Sequence, residues 1–168
     1  MPQPFVAVLM GSDSDLPTMQ ATLDTLTSLG VAWEVKITSA HRTPAATTEY
    51  VTSADARGCK VFIAAAGLAA HLAGAVAAHT LRPVIGVPME GGPLSGFDSL
   101  LSTVMMPGGI PVASVAVGKA GAKNAAYLAA QILATADDAL LQRLKAEREA
   151  NAAQIMAKNE ALQAKLKG

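Results

Sequence analysis

Two hydrophobic patterns alternate along this chain. Short unbroken apolar runs, "FVAVLM" (5–10), "KVFIAAA" (60–66), "PVIGV" (83–87) and "VASVAV" (112–117), read as strands buried on both faces. "AWEVKIT" (32–38) reads as a further strand. Between them apolar residues recur at helical spacing. One helix is expected over 16–29 and ends at Gly30; a second covers 43–57 and closes at Gly58. Others are expected near 69–80, 97–105 and 122–134. Strands alternating with helices through short connections must run parallel, with right-handed crossovers. The expected fold is α/β, a three-layer α/β/α doubly wound parallel sheet of about five strands.

The end of the chain follows another pattern. Thr135 and Asp138 suggest a capping pair, after which 137–167 is free of Gly and Pro until Gly168. Leu140, Leu144, Ile155, Leu162 and Leu166 form a narrow apolar stripe on this segment. Such a helix has too little core of its own to cover that stripe, so another subunit is its expected partner; a frayed charged tail is the plainer alternative. The expected organisation is a nucleotide-binding catalytic domain over 1–136 and a helical arm for oligomerisation over 137–168.

Composition narrows the function. Thirteen acidic residues balance thirteen basic ones, and no basic stripe exists to neutralise a phosphate backbone, so nucleic acid is not an expected partner. The single cysteine, Cys59, rules out an internal disulfide and reads as a buried, inert thiol. The start of the chain lacks a basic region and a long apolar run, so no signal sequence is expected. The apolar stretch 61–78 carries His71 and two glycines and runs into His79, Arg82 and Pro83; it reads as strand, turn and helix rather than a membrane span. A soluble, cytoplasmic protein is expected.

In doubly wound folds ligands bind outside the carboxyl ends of the strands. The unusual residues sort that way: "GSDSD", "SAHRTP", "AGLAAHL" and "PMEGG" each follow a strand. In "GSDSDLP" (11–17), Gly11 permits a tight turn, and Ser12, Ser14 and Asp15 open a helix with Pro17 in its first turn. Helix-start amides and two hydroxyls suit a phosphate, whereas an acid nearby suits ribose hydroxyls. Plain N-capping would use only one of these residues. Arg42 can reach a phosphate held by that loop, and His41 beside it can give and take a proton near neutral pH. The alternative for His41 is a cap on the helix opening at Thr43. His71, in a small-residue loop that lets backbone approach a ligand, is a second proton carrier or hydrogen-bond donor; an alanine-rich helix packed under the sheet competes with that reading. His79 reads as structural. No metal-ligand spacing, Walker loop or GxSxG is found, so neither a metal site nor those hydrolytic chemistries is expected.

Taken together, "MGSDSD", "SAHRTP", "AGLAAHLAG", "PVIGVPM" and "GFDSLLSTVMMPGGIPVASVAVG" resemble the class I N5-carboxyaminoimidazole ribonucleotide mutases of bacterial purine biosynthesis, in that family's order and spacing. The resemblance runs from Val6 to Ala134, and "SAHRTP" separates the chain from the animal-type carboxylase branch, which has His-Lys-Gly-Pro there. It implies a flavodoxin-like sheet and an isomerisation using no ATP, metal or organic cofactor. The substrate would be a carboxylated aminoimidazole ribonucleotide. Ser12 and Asp15 would bind substrate, Asp15 at the ribose; Ser14 and Arg42 would bind phosphate, and Ser39 would join these ligands. His41 would be the general acid/base, and His71 with Gly67 and Leu68 would line the carboxylate pocket.

The resemblance also implies a homo-octamer in which the C-terminal helix reaches a neighbour, and a functional link to the ATP-dependent carboxyaminoimidazole ribonucleotide synthase. This chain departs from the family pattern at Leu68, where a glycine is usual, and at Ala73, where a proline is usual. If the backbone at 68 requires positive φ, a leucine there should reshape the pocket. Other readings are a carboxylase using free CO2, or a non-catalytic nucleotide-binding module. Flavin binding is disfavoured by Asp13 and Asp15 in the phosphate loop and by the few aromatic residues.

Overall fold

The structure, a computed structural model, describes residues 4–167. Five parallel strands form one sheet: β1 (Phe5–Met10), β2 (Trp33–Ile37), β3 (Cys59–Ala66), β4 (Val84–Pro88) and β5 (Ala113–Ser114), in the order β2-β1-β3-β4-β5. Six helices accompany them: α1 (Leu16–Ser28), α2 (Pro44–Ala56), α3 (Leu72–Ala77), α4 (Phe97–Val104), α5 (Lys119–Ala134) and α6 (Asp138–Lys167). This is the flavodoxin-like strand order, whose direction of winding reverses between β1 and β3.

Period-two alternation explains why the central strands are apolar throughout. Val6, Val8 and Met10 of β1 and Val61, Ile63 and Ala65 of β3 point into one core with α1, α5 and Leu140 of α6. Their alternates Phe5, Ala7, Leu9, Phe62 and Ala64 enter a second core with Val51 and Ala54 of α2 and Leu72, Ala73 and Val76 of α3. Cys59 is fully buried, its Sγ donates to the Val61 carbonyl, and burial pushes its thiol up to about 11.

The edges depart from the continuous-run rule. In β2, Glu34 alternates with Val35 and meets Tyr50 of α2 and Arg57 just after that helix, while Val35 and Ile37 stay exposed. β5 pairs only through Ala113 and Ser114, shorter than the expected 112–117, and is partly exposed. Helix α3 is likewise shorter than expected, because 67–71 is loop.

Helix α5 starts at Lys119, three residues earlier than the expected 122–134. Gly121 lies inside it, where any Cβ would collide with the Ala116 carbonyl. The cap of α6 is Asp137, whose Oδ1 accepts from the Leu140 N–H at 2.9 Å; Thr135 instead donates back to Ile132. Arg143 Nε reaches the Leu29 carbonyl, and Tyr127 donates to Glu147, so the first turns of α6 are tied to the body. Burial and that carboxylate push the Tyr127 phenol up to about 12. From residue 148 onward every side chain of α6 is exposed.

Candidate active site

Four loops leave the carboxyl ends of β1 to β4 and enclose a cavity of about 520 Å³, within the size range of small-molecule sites. The site sits at the β1/β3 reversal, where two adjacent strands send their loops apart and leave a crevice.

The β1 loop folds on its own hydroxyls. Ser12 Oγ accepts from the Ser14 N–H at 3.3 Å and from Ser14 Oγ at 2.9 Å, and it donates to Asp13. This closes the 3-10 turn Asp13–Asp15 and leads into α1. Burial pushes the Asp15 carboxyl above its ordinary value; the backbone hydrogen bond from Ser12 pulls it down, and Asp13 pushes it up. Asp15 lines the cavity and Asp13 does not.

The β2 loop is a lattice of side-chain and backbone bonds. Thr38 bonds to Thr47 at 2.7 Å, the Ser39 N–H donates to Thr43 Oγ1, and the Arg42 N–H donates to Ser39 Oγ. Because Pro44 opens α2 and cannot donate, these hydroxyls satisfy the turn that precedes it. The lattice leaves the His41 and Arg42 side chains free to face away from it. Arg42 Nη2 donates to the Gly11 carbonyl at 2.9 Å, which lays the guanidinium against the β1 loop.

His41 does not cap α2. Its Nε2 lies 2.6 Å from His71 Nδ1, and the two rings meet edge to face with centroids 4.7 Å apart. His71 stands at the start of α3. Gly67, Leu68 and Ala69 precede it along the wall, and Leu68 adopts φ +55°. The fourth wall, Met89 to Gly92, belongs to the "PMEGG" segment that follows β4.

Every residue selected from the sequence, Ser12, Ser14, Asp15, Ser39, His41, Arg42, Gly67, Leu68 and His71, lines this one cavity. His79 lies elsewhere, bonded to Thr48. Sequence reasoning noted the position of "PMEGG" but selected none of its residues, and it missed the direct contact of the two histidines. Among the described residues no three His, Cys, Asp or Glu side chains gather as metal ligands, and no helix is long and apolar enough to cross a membrane.

The chain matches the AIR carboxylase family over residues 5–163. It is 54% identical over 147 residues to the N5-carboxyaminoimidazole ribonucleotide mutase of Bacillus subtilis, covering 88% of this chain and 91% of that protein. It is 52% identical over 151 residues to the Escherichia coli protein of the same name, covering 90% and 89%. The crystal structure of Treponema denticola PurE superposes with a TM-score of 0.86 at 30% identity, covering 95% of this chain and 99% of that one. The chain belongs to the AIR carboxylase family.

Proposed function

We propose that this chain is an isomerase that converts N5-carboxyaminoimidazole ribonucleotide to 4-carboxy-5-aminoimidazole ribonucleotide in purine biosynthesis. Relatives about half identical over most of their length carry that activity in their names. The observation that carries the mechanism is the hydrogen-bonded pair of His41 and His71, set beside an arginine braced on the phosphate-type loop.

In this reading Arg42 and Ser14 hold the phosphate, Ser12 and Asp15 the ribose side, and Ser39 supports the same end. An arginine already braced by a carbonyl loses less freedom on binding than a solvent-extended one. His41 is then over the base, and His71, Gly67 and Leu68 bound the space for the migrating carboxylate. The N5–carboxylate bond breaks, its electron pair returns to N5, and N5 takes a proton. The freed CO2 is attacked by C4, and C4 then loses its proton to restore the aromatic ring. One proton goes in and one comes out, so no oxidant, ATP or net base is consumed.

The histidine pair suits that exchange. Only one proton can lie between His41 Nε2 and His71 Nδ1. When His41 donates, its Nδ1 is a base; when His71 donates, His41 Nδ1 carries a proton and is an acid. A proton taken up at His41 Nδ1 while the Nε2 proton passes to His71 Nδ1, and returned by the reverse movement, therefore lets the group that faces the ligand serve in both roles the reaction needs. Assay of N5-carboxyaminoimidazole ribonucleotide without ATP, with and without bicarbonate, tests this function. Conversion independent of both is expected; a requirement for bicarbonate with the uncarboxylated nucleotide would replace it by the carboxylase reading.

The same reading makes residues 1–136 the catalytic domain and 137–168 an arm through which copies assemble, as a homo-octamer. Phe97 and Met105 of the α4 region are 69% and 77% exposed, and Ile155, Leu162 and Leu166 project from the uncovered half of α6. Apolar side chains in such number on one chain call for a partner surface. Light scattering should show a smaller assembly after deletion of 137–168; an unchanged assembly would make the arm dispensable. A labile carbamate substrate implies an ATP-dependent synthase close upstream, and a cytoplasmic location follows from that supply.

A further inference from the structure

Among the described residues the His41 side chain makes one hydrogen bond, and it runs across the cavity to His71. Nothing on its own side holds the imidazole, so its position follows from the backbone turn that carries it. At 2.6 Å the contact lies at the short end of hydrogen-bond lengths, and a small shift of the turn would open it. Arg42, next in the chain, differs: its guanidinium has a separate anchor on the Gly11 carbonyl at 2.9 Å.

The turn runs from Ser39 to Thr43 and closes on one atom, the Ser39 carbonyl oxygen. The Thr43 N–H reaches it at 2.9 Å, the Thr43 hydroxyl at 3.2 Å and the Thr47 hydroxyl at 3.4 Å. Counting hydroxyl protons gives these bonds a direction. Thr38 is tied to the sheet, its N–H donating to the Met10 carbonyl. Its buried hydroxyl finds no carbonyl among the described residues, only Thr47 Oγ1 at 2.7 Å and Thr43 Oγ1 at 3.3 Å. The Thr38 proton therefore goes to Thr47, the nearer oxygen. Thr47 in turn donates back to the turn, to the Thr43 carbonyl at 3.1 Å or the Ser39 carbonyl at 3.4 Å. Thr43 Oγ1 is already engaged, accepting from the Ser39 N–H at 2.9 Å and donating to the Ser39 carbonyl. Thr47, buried early in α2, thus links the end of β2 to both ends of the turn.

We propose that Thr47, with Thr38 behind it, is the positioning residue that holds His41 at bonding distance from His71. The consequence for turnover rests on the isomerase reading above; the consequence for the histidine contact does not. Because Arg42 keeps its anchor on Gly11, loosening the turn should displace the proton carrier more than the phosphate ligand.

Thr47→Val keeps the side-chain shape and removes the hydroxyl. Turnover at saturating substrate should fall about tenfold or more, since misplacement on the order of 1 Å can cost about a hundredfold, while KM stays near the parent's. The denaturant midpoint should also fall, because the buried Thr38 proton loses its acceptor. Thr47→Ser, which keeps the hydroxyl, should return turnover towards the parent. Combining Thr38→Val with Thr47→Val removes the stranded proton too, so the midpoint should recover. Turnover should stay low in that double variant, because the bond from position 47 to the turn is still missing. A crystal structure of Thr47→Val should show His41 Nε2 and His71 Nδ1 separated by more than about 3.2 Å. Turnover that recovers together with the midpoint would make Thr47 a stabilising residue only and overturn the proposal. A Thr47→Val structure with the pair at its parental distance would overturn it as well. If the parent isomerises nothing, the functional reading falls, and the crystallographic comparison alone decides the positioning.

Discussion

Against one face of the sheet, α5 lays Ala122, Ala125, Ala126, Ala129 and Ala130, each fully buried, close to β3 and β4. At the carboxyl edge of the same strands, His41, Arg42, Leu68, Glu90 and Gly91 are exposed, and Leu68 and Ser95 have left-handed backbones without being glycine. The first region is selected for fit: small side chains let helix and sheet approach, and each contact supports the fold. The second holds polar groups and strain that contribute nothing to folding. What keeps it in shape is the rigid layer beneath, together with short-range bonds such as the hydroxyl lattice of 38–47. Substitutions in the two regions should therefore move different observables, and that separation can be broken or sharpened by experiment.

The largest effect is expected at the edge. His41→Asn keeps size and hydrogen-bonding capacity but cannot carry a proton. Turnover at saturating substrate should fall about 10²–10⁴-fold, while thermal stability stays within roughly 0.5 kcal/mol of the parent, as for other exposed positions. Turnover within about tenfold of the parent would move the acid/base role to His71.

Gly86→Ala makes the opposite prediction. Gly86 is buried in β4, and an added Cβ would strike Thr103 Cγ2 and press on Val112 and Ala73. Thr103 is buried and stiff at χ1, so it cannot swing clear. Denaturant unfolding should show a loss of about 1–3 kcal/mol, with turnover per folded molecule close to the parent. A large loss of turnover at full stability would show that the two regions are not separable.

The same contrast explains what was legible in the sequence. β1 was readable from its continuous apolar run, and α1 and α2 to within a residue because each helix ends just before a glycine, Gly30 and Gly58, both with positive φ. Local signals failed where tertiary contact overrides them. Gly121 looks like a helix breaker but is placed inside α5 by the close approach of the Ala116 carbonyl. β5 is short because it is an edge with one partner. The site residues were readable as a set, since the rule that ligands lie beyond strand ends gathers them without coordinates. The bond between His41 and His71 was not, because thirty residues and a crossover separate them. Leu68 was readable as a question, through its departure from the family's glycine, and the backbone at φ +55° answers it.

The smallest effect separates the two regions by sign. Asp55, far from the site, is hydrogen-bonded by Arg82 and then by Thr80, which holds its carboxyl below its ordinary value of 3.8. A lowered value means stability that is present above the ordinary carboxylate range and lost as pH falls through the lowered one. Asp15, at the site, is pushed above that ordinary value mainly by burial. Its protonated form is the one the fold favours, so its contribution is present at low pH and lost as pH rises through the raised value. Asp55→Asn should therefore destabilise at neutral pH, by about 0.2–1 kcal/mol for an exposed pair, and the difference should fade in acid. Asp15→Asn should stabilise slightly at neutral pH, and that difference should also fade in acid. Denaturant midpoints of both variants and the parent, measured from pH 7 down to about pH 3, check this. If the two differences at neutral pH have the same sign, the carboxylate placed at the ribose is held by the fold like the remote one, and the division between a strained edge and a satisfied body does not extend to its charges.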